Sequence, residues 1–455
     1  MVPQSNSRLR VQDRVSELPD AVLCHILSFL GPDYAKCAVR TSILSKRWKS
    51  MWACAPNVNL NSRDFSSSAD FKAFADRLLL LRDSSTIQKL YLHFSLCSAE
   101  DFSRVDAWIR TAIRCNVVEL DLCVYSDGGE VFELPKSLFA CKTLMSLKLM
   151  SNFVINMPTS VCFPSLKFFY VTVPTDKDSM DFSHCPALEH LAIDGSHGED
   201  GVYLNISVSE LKTLKITSKD IYSVNINAPK LEKLDLKESV LSDYNLENTK
   251  SLVEANIYLY HEEEEGDEED AAFYATNLLE GISGVKYLFL SSRICENCSV
   301  PAFDNLSKLT LALHSGCYGW GILTMLLERA SNLECLVLEH DHHHYPAYCG
   351  ESESVIELED PIELPPEVVT WSPPESVPKC VSSHLKSVSL KGFQGKHFSG
   401  HVDEMEVLKY LLENGQVLKE MTIYTEFLEQ ELYGELSRFE WGSETCQVEI
   451  ISKGS

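Results

Sequence analysis

Residues 185–194 read CPALEHLAID, residues 208–217 read VSELKTLKIT and residues 228–237 read APKLEKLDLK. Each carries one frame, apolar-x-x-apolar-x-apolar, on Leu188/Leu191/Ile193, Leu211/Leu214/Ile216 and Leu231/Leu234/Leu236. Clear copies also stand at Leu144/Leu147/Leu149, Leu306/Leu309/Leu311 and Leu333/Leu336/Leu338. Weaker copies begin at Ile87, Val117, Leu166, Leu252, Val285, Leu385 and Leu418. From Leu144 to Leu252 successive copies start 22, 22, 23, 20 and 21 residues apart. A sustained period of this length marks a stacked array, because one such unit cannot bury its apolar face alone.

The last two apolar positions of the frame alternate along a short strand and therefore point to one side, while the first sits on the turn that enters it. Stacked strands then make a parallel sheet along one face of a solenoid. The lead-ins Phe163-Pro164-Ser165, Cys185-Pro186-Ala187 and Ala228-Pro229-Lys230 put a proline just ahead of the strand, where no ladder N–H is required. The spacing falls within that of leucine-rich repeats, whose pattern also puts Asn or Cys three residues beyond the frame. Only Asn152 obeys this, so the usual asparagine ladder is absent, and the expectation is an irregular, gently curved array with uneven return segments. The alternative is a globular α/β domain with coincidental leucine spacing.

Composition bounds the partners. The 455 residues are 45% hydrophobic, and 40 Lys+Arg against 66 Asp+Glu give a formal net charge of -26. That excess of acid argues against nucleic acid or an anionic membrane as partner. No window approaches the ~18 uninterrupted apolar residues of a membrane span, and the polar start MVPQSNSRLR lacks the apolar run of an export signal. A soluble, intracellular protein of the cytoplasm and/or nucleus is expected. The 16 cysteines scatter from Cys24 to Cys446 without a repeated spacing and read as reduced thiols used as small core residues.

The charge is uneven. Residues 1–60 carry a net +4, residues 61–370 a net -25 and residues 371–455 a net -5. Eight acids fall among residues 261–270, from His261 to Asp270, and a run of like charge repels itself into a solvated loop. A second interruption at about 340–380 holds an acidic stretch and a proline-rich one ending Trp371-Ser372-Pro373-Pro374-Glu375, which reads as a mobile connection.

At the basic N-terminus, Pro19 suits a first helical turn, and Val22, Leu23, Ile26, Leu27 and Leu30 form one face of a helix that the Gly31-Pro32 pair stops. A second helical stretch puts Ile43, Leu44, Trp48, Met51 and Trp52 on one face and Lys46, Arg47 and Lys49 on the other. So few residues cannot bury that much apolar surface by themselves. The surplus packs on the rest of the chain or docks on a partner. The string DRVSELPDAVLCHILSFLGPDYAKCAVRTSILSKRWKSMW resembles the F-box of plant F-box proteins, with its LPD, ILSFL and RTSxLSKRW elements in unbroken order. The resemblance implies docking on the Skp-type adaptor of a Skp–cullin–F-box ubiquitin ligase, and through it association with cullin and RING subunits. The adaptor-binding residues it implies are Leu18, Pro19, Leu23, Ile26, Leu27, Leu30, Val39, Leu44 and Trp48.

From Trp371 onward, WSPPESVPKCVSSHLKSVSLKGFQG, EMEVLKYLLENGQVLKEMTIY and SETCQVEI together resemble the FBD domain that follows the repeats in many plant F-box/leucine-rich-repeat proteins. An amphipathic helix is expected over Glu404 to Asn414, stopped by Gly415, with a strand from Met421 to Tyr424 and a turn at Lys391-Gly392-Phe393 with Gly395. Such a module would cap the open end of the solenoid sheet.

The expected fold class is α/β: a small helical F-box at 10–58, an irregular leucine-rich-repeat solenoid at 80–345 with the acidic insertion 261–270, a connecting loop at 346–370, and an FBD-like α/β module at 371–455. No nucleophile, phosphate-binding or zinc-protease motif is present, so neither catalytic residues nor cofactors are assigned. The Cys295-x-x-Cys298 pair and the run His340-Asp341-His342-His343-His344 lack the spaced ligands of a defined metal site. The reading is a non-catalytic receptor that binds the adaptor and captures an unknown protein target, with neither nucleic acid nor membrane as partner. The alternative is a repeat scaffold whose helical N-terminus merely caps the array.

Overall fold

This computed structural model describes residues 15, 18–27, 37, 39–44, 47–48, 52–82, 86–126, 132–150, 153–156, 158, 160, 162–173, 179–195, 202–218, 221–238, 242–259, 268–291, 298–313, 320–340, 371–393, 404–425 and 429–452. They fall into two compact units, residues 1–176 with 184–188, and residues 177–183 with 189–455.

In the first unit, strands Asn57–Asn61, Lys89–Cys97, Glu119–Ser126, Ser146–Met150 and Phe168–Val173 pair in that order, all parallel. Helices Ser68–Leu80 and Phe102–Arg114 cover the sheet. The first is capped by Ser67, whose Oγ accepts from the Asp70 N–H at 3.1 Å, and buries Phe71, Ala75, Leu78 and Leu79. Phe71 meets Trp108 of the second edge-on, with ring centroids 5.8 Å apart, and the Trp108 indole donates to Asp76 at 2.9 Å.

In the second unit, among the described residues, one parallel sheet runs in the order His190–Gly195, Thr213–Ser218, Lys233–Glu238, Glu254–Leu259, Tyr287–Ser291, Lys308–Leu313, Cys335–His340, Ser387–Phe393, Glu420–Thr425 and Gln447–Ser452. Their register aligns the frames. Leu214 stands between Leu191 and Leu234, and Ile216 between Ile193 and Leu236. All three residues of every frame predicted from the sequence, weak copies included, are at most 5% exposed. Each such leucine contributes roughly 1.5–3 kcal/mol by leaving water, which is why the frame recurs while the residues between it vary.

The entry to the strand differs in one detail. Pro164, Pro186 and Pro229 occupy the second position of a four-residue turn, closed by the first frame residue donating back to the turn's first carbonyl: Leu166 to Phe163 at 3.1 Å, Leu188 to Cys185 at 3.3 Å and Leu231 to Ala228 at 3.0 Å. Phe163, Cys185 and Ala228 are themselves buried, so the repeat has a fourth apolar position three residues ahead of the frame.

The return segments are more regular than expected. Ser179–Asp181, Val202–Ser207, Ile221–Asn227 and Asp243–Glu247 form a second parallel sheet. Its inward residues include Leu204, Ile206, Val224 and Ile226, and its outer face aligns Asp181, Asn205, Asn225 and Asn245 side by side. Asn205 Nδ2 donates to Asp181 at 3.0 Å and Asn245 Nδ2 to Asn225 at 3.3 Å. An amide ladder therefore exists on the opposite limb from the one the repeat pattern calls for. Helix Glu268–Gly281 begins inside the acidic run read as a loop, and it packs on Asp243–Glu247, where a Cβ at Gly281 would lie 2.9 Å from Leu246. Residues 260–267 lie outside the described residues, as do 341–370 with most of the histidine run, Cys295, Asn152 and Gly395.

The C-terminal strands continue the array in register, Val388 on Leu336 and Met421 on Val388. Helix Glu404–Asn414 has the expected bounds and buries Met405, Val407, Leu408, Leu411 and Leu412. The Gly415 N–H donates to the Leu411 carbonyl at 3.0 Å, and a Cβ there would meet that oxygen at 2.6 Å. Two readings are corrected. Gly392 is not in a turn; it sits inside Ser387–Phe393 with φ 77 at a register shift between Lys391 and Phe393, a bulge that only glycine adopts without strain. Trp371 is an anchor: it is buried, meets Tyr410 edge-on at 5.3 Å and donates to Thr324 Oγ1 at 3.0 Å.

Candidate functional site

The N-terminal module starts with a turn, the Leu18 N–H donating to Val15 at 3.2 Å, and the Pro19 carbonyl accepts from Val22 and Leu23 at 2.9 and 3.1 Å. Pro19 thus precedes helix Asp20–Leu27 and presets its entry. Asp20 Oδ1 accepts from Arg47 Nε at 2.9 Å, which ties the helix start to the stretch leading into Trp48. Leu23, Leu27, Trp48 and Ala55 form a buried cluster, with Leu18 and Trp52 packed half-buried against it.

The second helical stretch is not one helix. Among the described residues it contains two short 3-10 turns, Thr41–Ile43 and Trp52–Cys54, and its expected single apolar face divides. Trp48 is 4% exposed, whereas Ile43 is 86% and Leu44 64% exposed.

The nine expected contact residues therefore separate by burial. Leu23, Leu27 and Trp48 lie inside the module; Leu18 and Val39 are half-buried; Pro19, Ile26 and Leu44 are exposed. Leu30 lies outside the described residues. Val22 and Ile43, outside that set, also face solvent. Val22 was legible on the helical face, but nothing in local periodicity separates Ile43 and Leu44 from Trp48, because the backbone between them is not a continuous helix.

A second candidate surface is the open side of the repeats. The residues between the buried frame positions point away from the core and align across strands. In the first unit Asn59, Tyr91, Asp121 and Lys148 make one such row; the next positions along, Asn61, His93 and Cys123, also align, with His93 and Cys123 buried. Tyr91 and His93 stack at 6.5 Å, and His93 meets Tyr125 at 6.1 Å. Burial pushes the Tyr125 phenol up to about 12 and raises the Cys123 thiol as well. In the second unit Lys237 lies 5.0 Å above the Tyr258 ring, which stacks on Phe289 at 4.1 Å. Around them Lys233 pairs with Glu254 at 2.8 Å and Lys391 with Glu339 at 3.0 Å.

Family models match in the same order as the structural elements: F-box domain over residues 15–55, the leucine-rich repeats of the FBD-associated F-box protein At5g56370 over 105–256, and FBD over 373–423. The F-box/LRR-repeat protein At4g14096 of Arabidopsis thaliana is 31% identical, over 97% of this chain and 95% of the relative. This chain belongs to the F-box/leucine-rich-repeat protein family. The F-box/LRR-repeat protein At3g59200 is 30% identical over 97% of this chain and 89% of the relative. The F-box/FBD/LRR-repeat protein At5g56420 is 29% identical over 96% and 98%; both come from Arabidopsis thaliana.

Family membership gives the N-terminal cluster its meaning as an F-box core. In this F-box/leucine-rich-repeat protein the first repeat frame lies earlier than expected, on Ala55, Val58 and Leu60, all buried. Ala55 is shared: it closes the F-box cluster and opens the array. The signal was in the sequence, but a small alanine in the first frame position hid it. Among the described residues no helix is long and apolar enough to cross a membrane.

Proposed function

We propose that this protein is the substrate-recognition subunit of a Skp–cullin–F-box ubiquitin ligase, with the F-box docking on the Skp-type adaptor and the repeat and FBD region capturing a protein target. The observation that carries the reading is the apolar side of the F-box left in solvent, Val22, Ile26, Ile43 and Leu44, above a core of Leu23, Leu27 and Trp48. In this reading Pro19, Ile26 and Leu44 touch the adaptor, and Leu23, Leu27 and Trp48 form the core on which helix Asp20–Leu27 and the turn carrying Leu44 stand. An apolar patch ringed by polar residues is the usual anatomy of a docking surface.

The protein then works by proximity rather than chemistry. Holding a target beside an activated ubiquitin raises its effective concentration, and the transfer is done by the partners. Cytoplasm and nucleus, where such ligases act, are the proposed sites of action. The test is proximity labelling under proteasome inhibition, comparing the full chain with its Ile26→Asp/Leu44→Asp variant, which leaves strand Asn57–Asn61 in place. Neighbours that gain ubiquitin only with the wild type are the expected result. The same neighbours ubiquitinated to the same extent by both chains would overturn the proposal.

A further inference from the structure

Strand Gln447–Ser452 lies at the edge of the second unit's sheet and, among the described residues, pairs only with Glu420–Thr425. Its Gln447 N–H donates to the Lys419 carbonyl at 2.8 Å, and in a parallel ladder the groups that bond to one neighbour come from alternate residues. Gln447, Glu449 and Ile451 therefore bond toward Glu420–Thr425, while Val448 and Ile450 turn their N–H and C=O groups outward, where no described group takes them up. The side chains are incompletely covered as well. Val448 and Ile450 stand beside Met421 and Ile423 in the frame positions, yet they are only half-buried. The corresponding pairs of this unit, from Leu191/Ile193 to Met421/Ile423, are at most 2% exposed. Being at an edge does not explain it: Val58 and Leu60, in the first unit's own edge strand Asn57–Asn61, are 2% and 1% exposed. Helix Glu429–Leu436 packs on the terminal strand with Leu432 and Leu436 buried, and still leaves this end of the core half-covered.

The edge selects its occupant. Ladder groups spaced along a strand and open to solvent are matched by another extended backbone. Beside them, Val448 and Ile450 take apolar side chains at every second position of such a segment, because successive side chains alternate between the two faces. The charge at this end of the unit is acidic. From Leu432 to Ser452 the chain carries Glu435, Glu440, Glu444 and Glu449 against Arg438. Glu449 is exposed on the opposite face of the strand from Val448 and Ile450, stands beside Thr422, and has no base paired to it among the described residues. Lysine or arginine at the alternate positions of the segment complements these acids. The same acids face one another when two copies meet at this edge, which disfavours self-pairing.

We propose that strand Gln447–Ser452 is a docking edge that takes an extended segment of the target protein as one further strand, with apolar side chains toward Val448 and Ile450 and lysine or arginine toward Glu449. The inference rests on the receptor reading, since it names what the C-terminal module captures and by which groups.

The test is fluorescence anisotropy at physiological salt with the purified full chain and three fluorescein-labelled peptides: alternating lysine and valine, the same peptide with every backbone nitrogen methylated, and alternating glutamate and valine. The methylated copy keeps charge and side chains and loses its donors, so it is expected to bind about tenfold or more weakly. Ile450→Pro removes an outward N–H and leaves the ladder to Glu420–Thr425 in place; it is expected to weaken the lysine peptide by about tenfold or more. Glu449→Lys is expected to narrow the preference for the lysine peptide over the glutamate peptide by about threefold or more. No binding of the lysine peptide by the wild type, equal binding of the methylated copy, unchanged binding by a folded Ile450→Pro chain, or an unchanged preference in Glu449→Lys would each overturn the inference. Should Ile450→Pro lower the melting temperature, the methylated peptide on the wild type decides. A wild type that sediments as a dimer, with Ile450→Pro a monomer, would assign the edge to a second copy and overturn the inference as well. Adaptor co-purification of the same samples keeps the two questions apart: no peptide binding with the adaptor retained rejects only this edge, whereas a wild type that ignores the adaptor rejects the receptor reading.

Discussion

The guanidinium of Arg82 donates from Nη2 to the backbone carbonyl of Ala55. Arg82 directly follows Leu81, the residue that ends helix Ser68–Leu80, while Ala55 belongs both to the F-box cluster and to the first repeat frame. The contact is buried, so the carbonyl has no water to turn to. The F-box is therefore fastened to the first repeat by a charged hydrogen bond as well as by apolar packing, and Arg82, just after helix Ser68–Leu80, helps to fix where the F-box core stands.

Replacing Arg82 by Met keeps much of the apolar stem and removes the donor. The expected cost is about 1–3 kcal/mol, the penalty for a buried acceptor left unsatisfied. Chemical denaturation of the full chain measures it, and the adaptor affinity of Arg82→Met should fall with the stability of the junction. An unchanged unfolding midpoint would mean that the Ala55 carbonyl finds another partner.

Glu238 supplies a prediction in pH. It is buried at the end of Lys233–Glu238, accepts from the Ser242 N–H at 3.1 Å and from the Tyr244 hydroxyl, and Ser242 Oγ donates in turn to the Ile221 carbonyl at 2.7 Å. Burial raises its carboxyl to about 7, against hydrogen bonds from Tyr244 and Ser242 that favour the charged form. The folded state thus holds a proton that the unfolded chain releases in the ordinary glutamate range. Between that range and pH about 7 the folded state binds more protons than the unfolded, so this group's contribution to stability falls as pH rises and is flat above. Relative to Glu238→Gln, the wild type should lose up to about 1.4 kcal/mol per pH unit across the window. Urea melts at a series of pH values decide it, and a wild type that gains stability relative to Glu238→Gln as pH rises would contradict the assignment.

At the bulge in Ser387–Phe393, Gly392 has φ 77. Alanine there incurs the left-handed penalty of about 1–2 kcal/mol. Gly392→Ala should lower the melting temperature without changing the far-UV spectrum. A neutral substitution would show that the bulge relaxes to an ordinary strand.

The array was legible because burial falls on three fixed positions, and even weak copies such as Val285/Leu288/Leu290 are core. What escaped has physical reasons. Leu204/Ile206 and Val224/Ile226 stand at the same distance ahead of Leu211 and Leu231 but at different distances behind Ile193 and Ile216, so the second sheet's alternation stays hidden when the return is read forward from each frame. Gly392 reads as a turn residue because a bulge and a turn make the same demand on φ. At the F-box, composition marks an apolar surplus, but which residues face out depends on where helix gives way to 3-10 turns around Thr41–Ile43.

The most direct test of the account is the affinity of the purified full chain for the Skp-type adaptor, measured by titration calorimetry for the wild type, for Ile26→Asp combined with Leu44→Asp, and for Tyr203→Asp, an exposed position on the second sheet. The account predicts a tight complex for the wild type and for Tyr203→Asp, and loss of at least about a hundredfold in affinity for the double variant with its fold intact. Wild-type affinity in the double variant would contradict it.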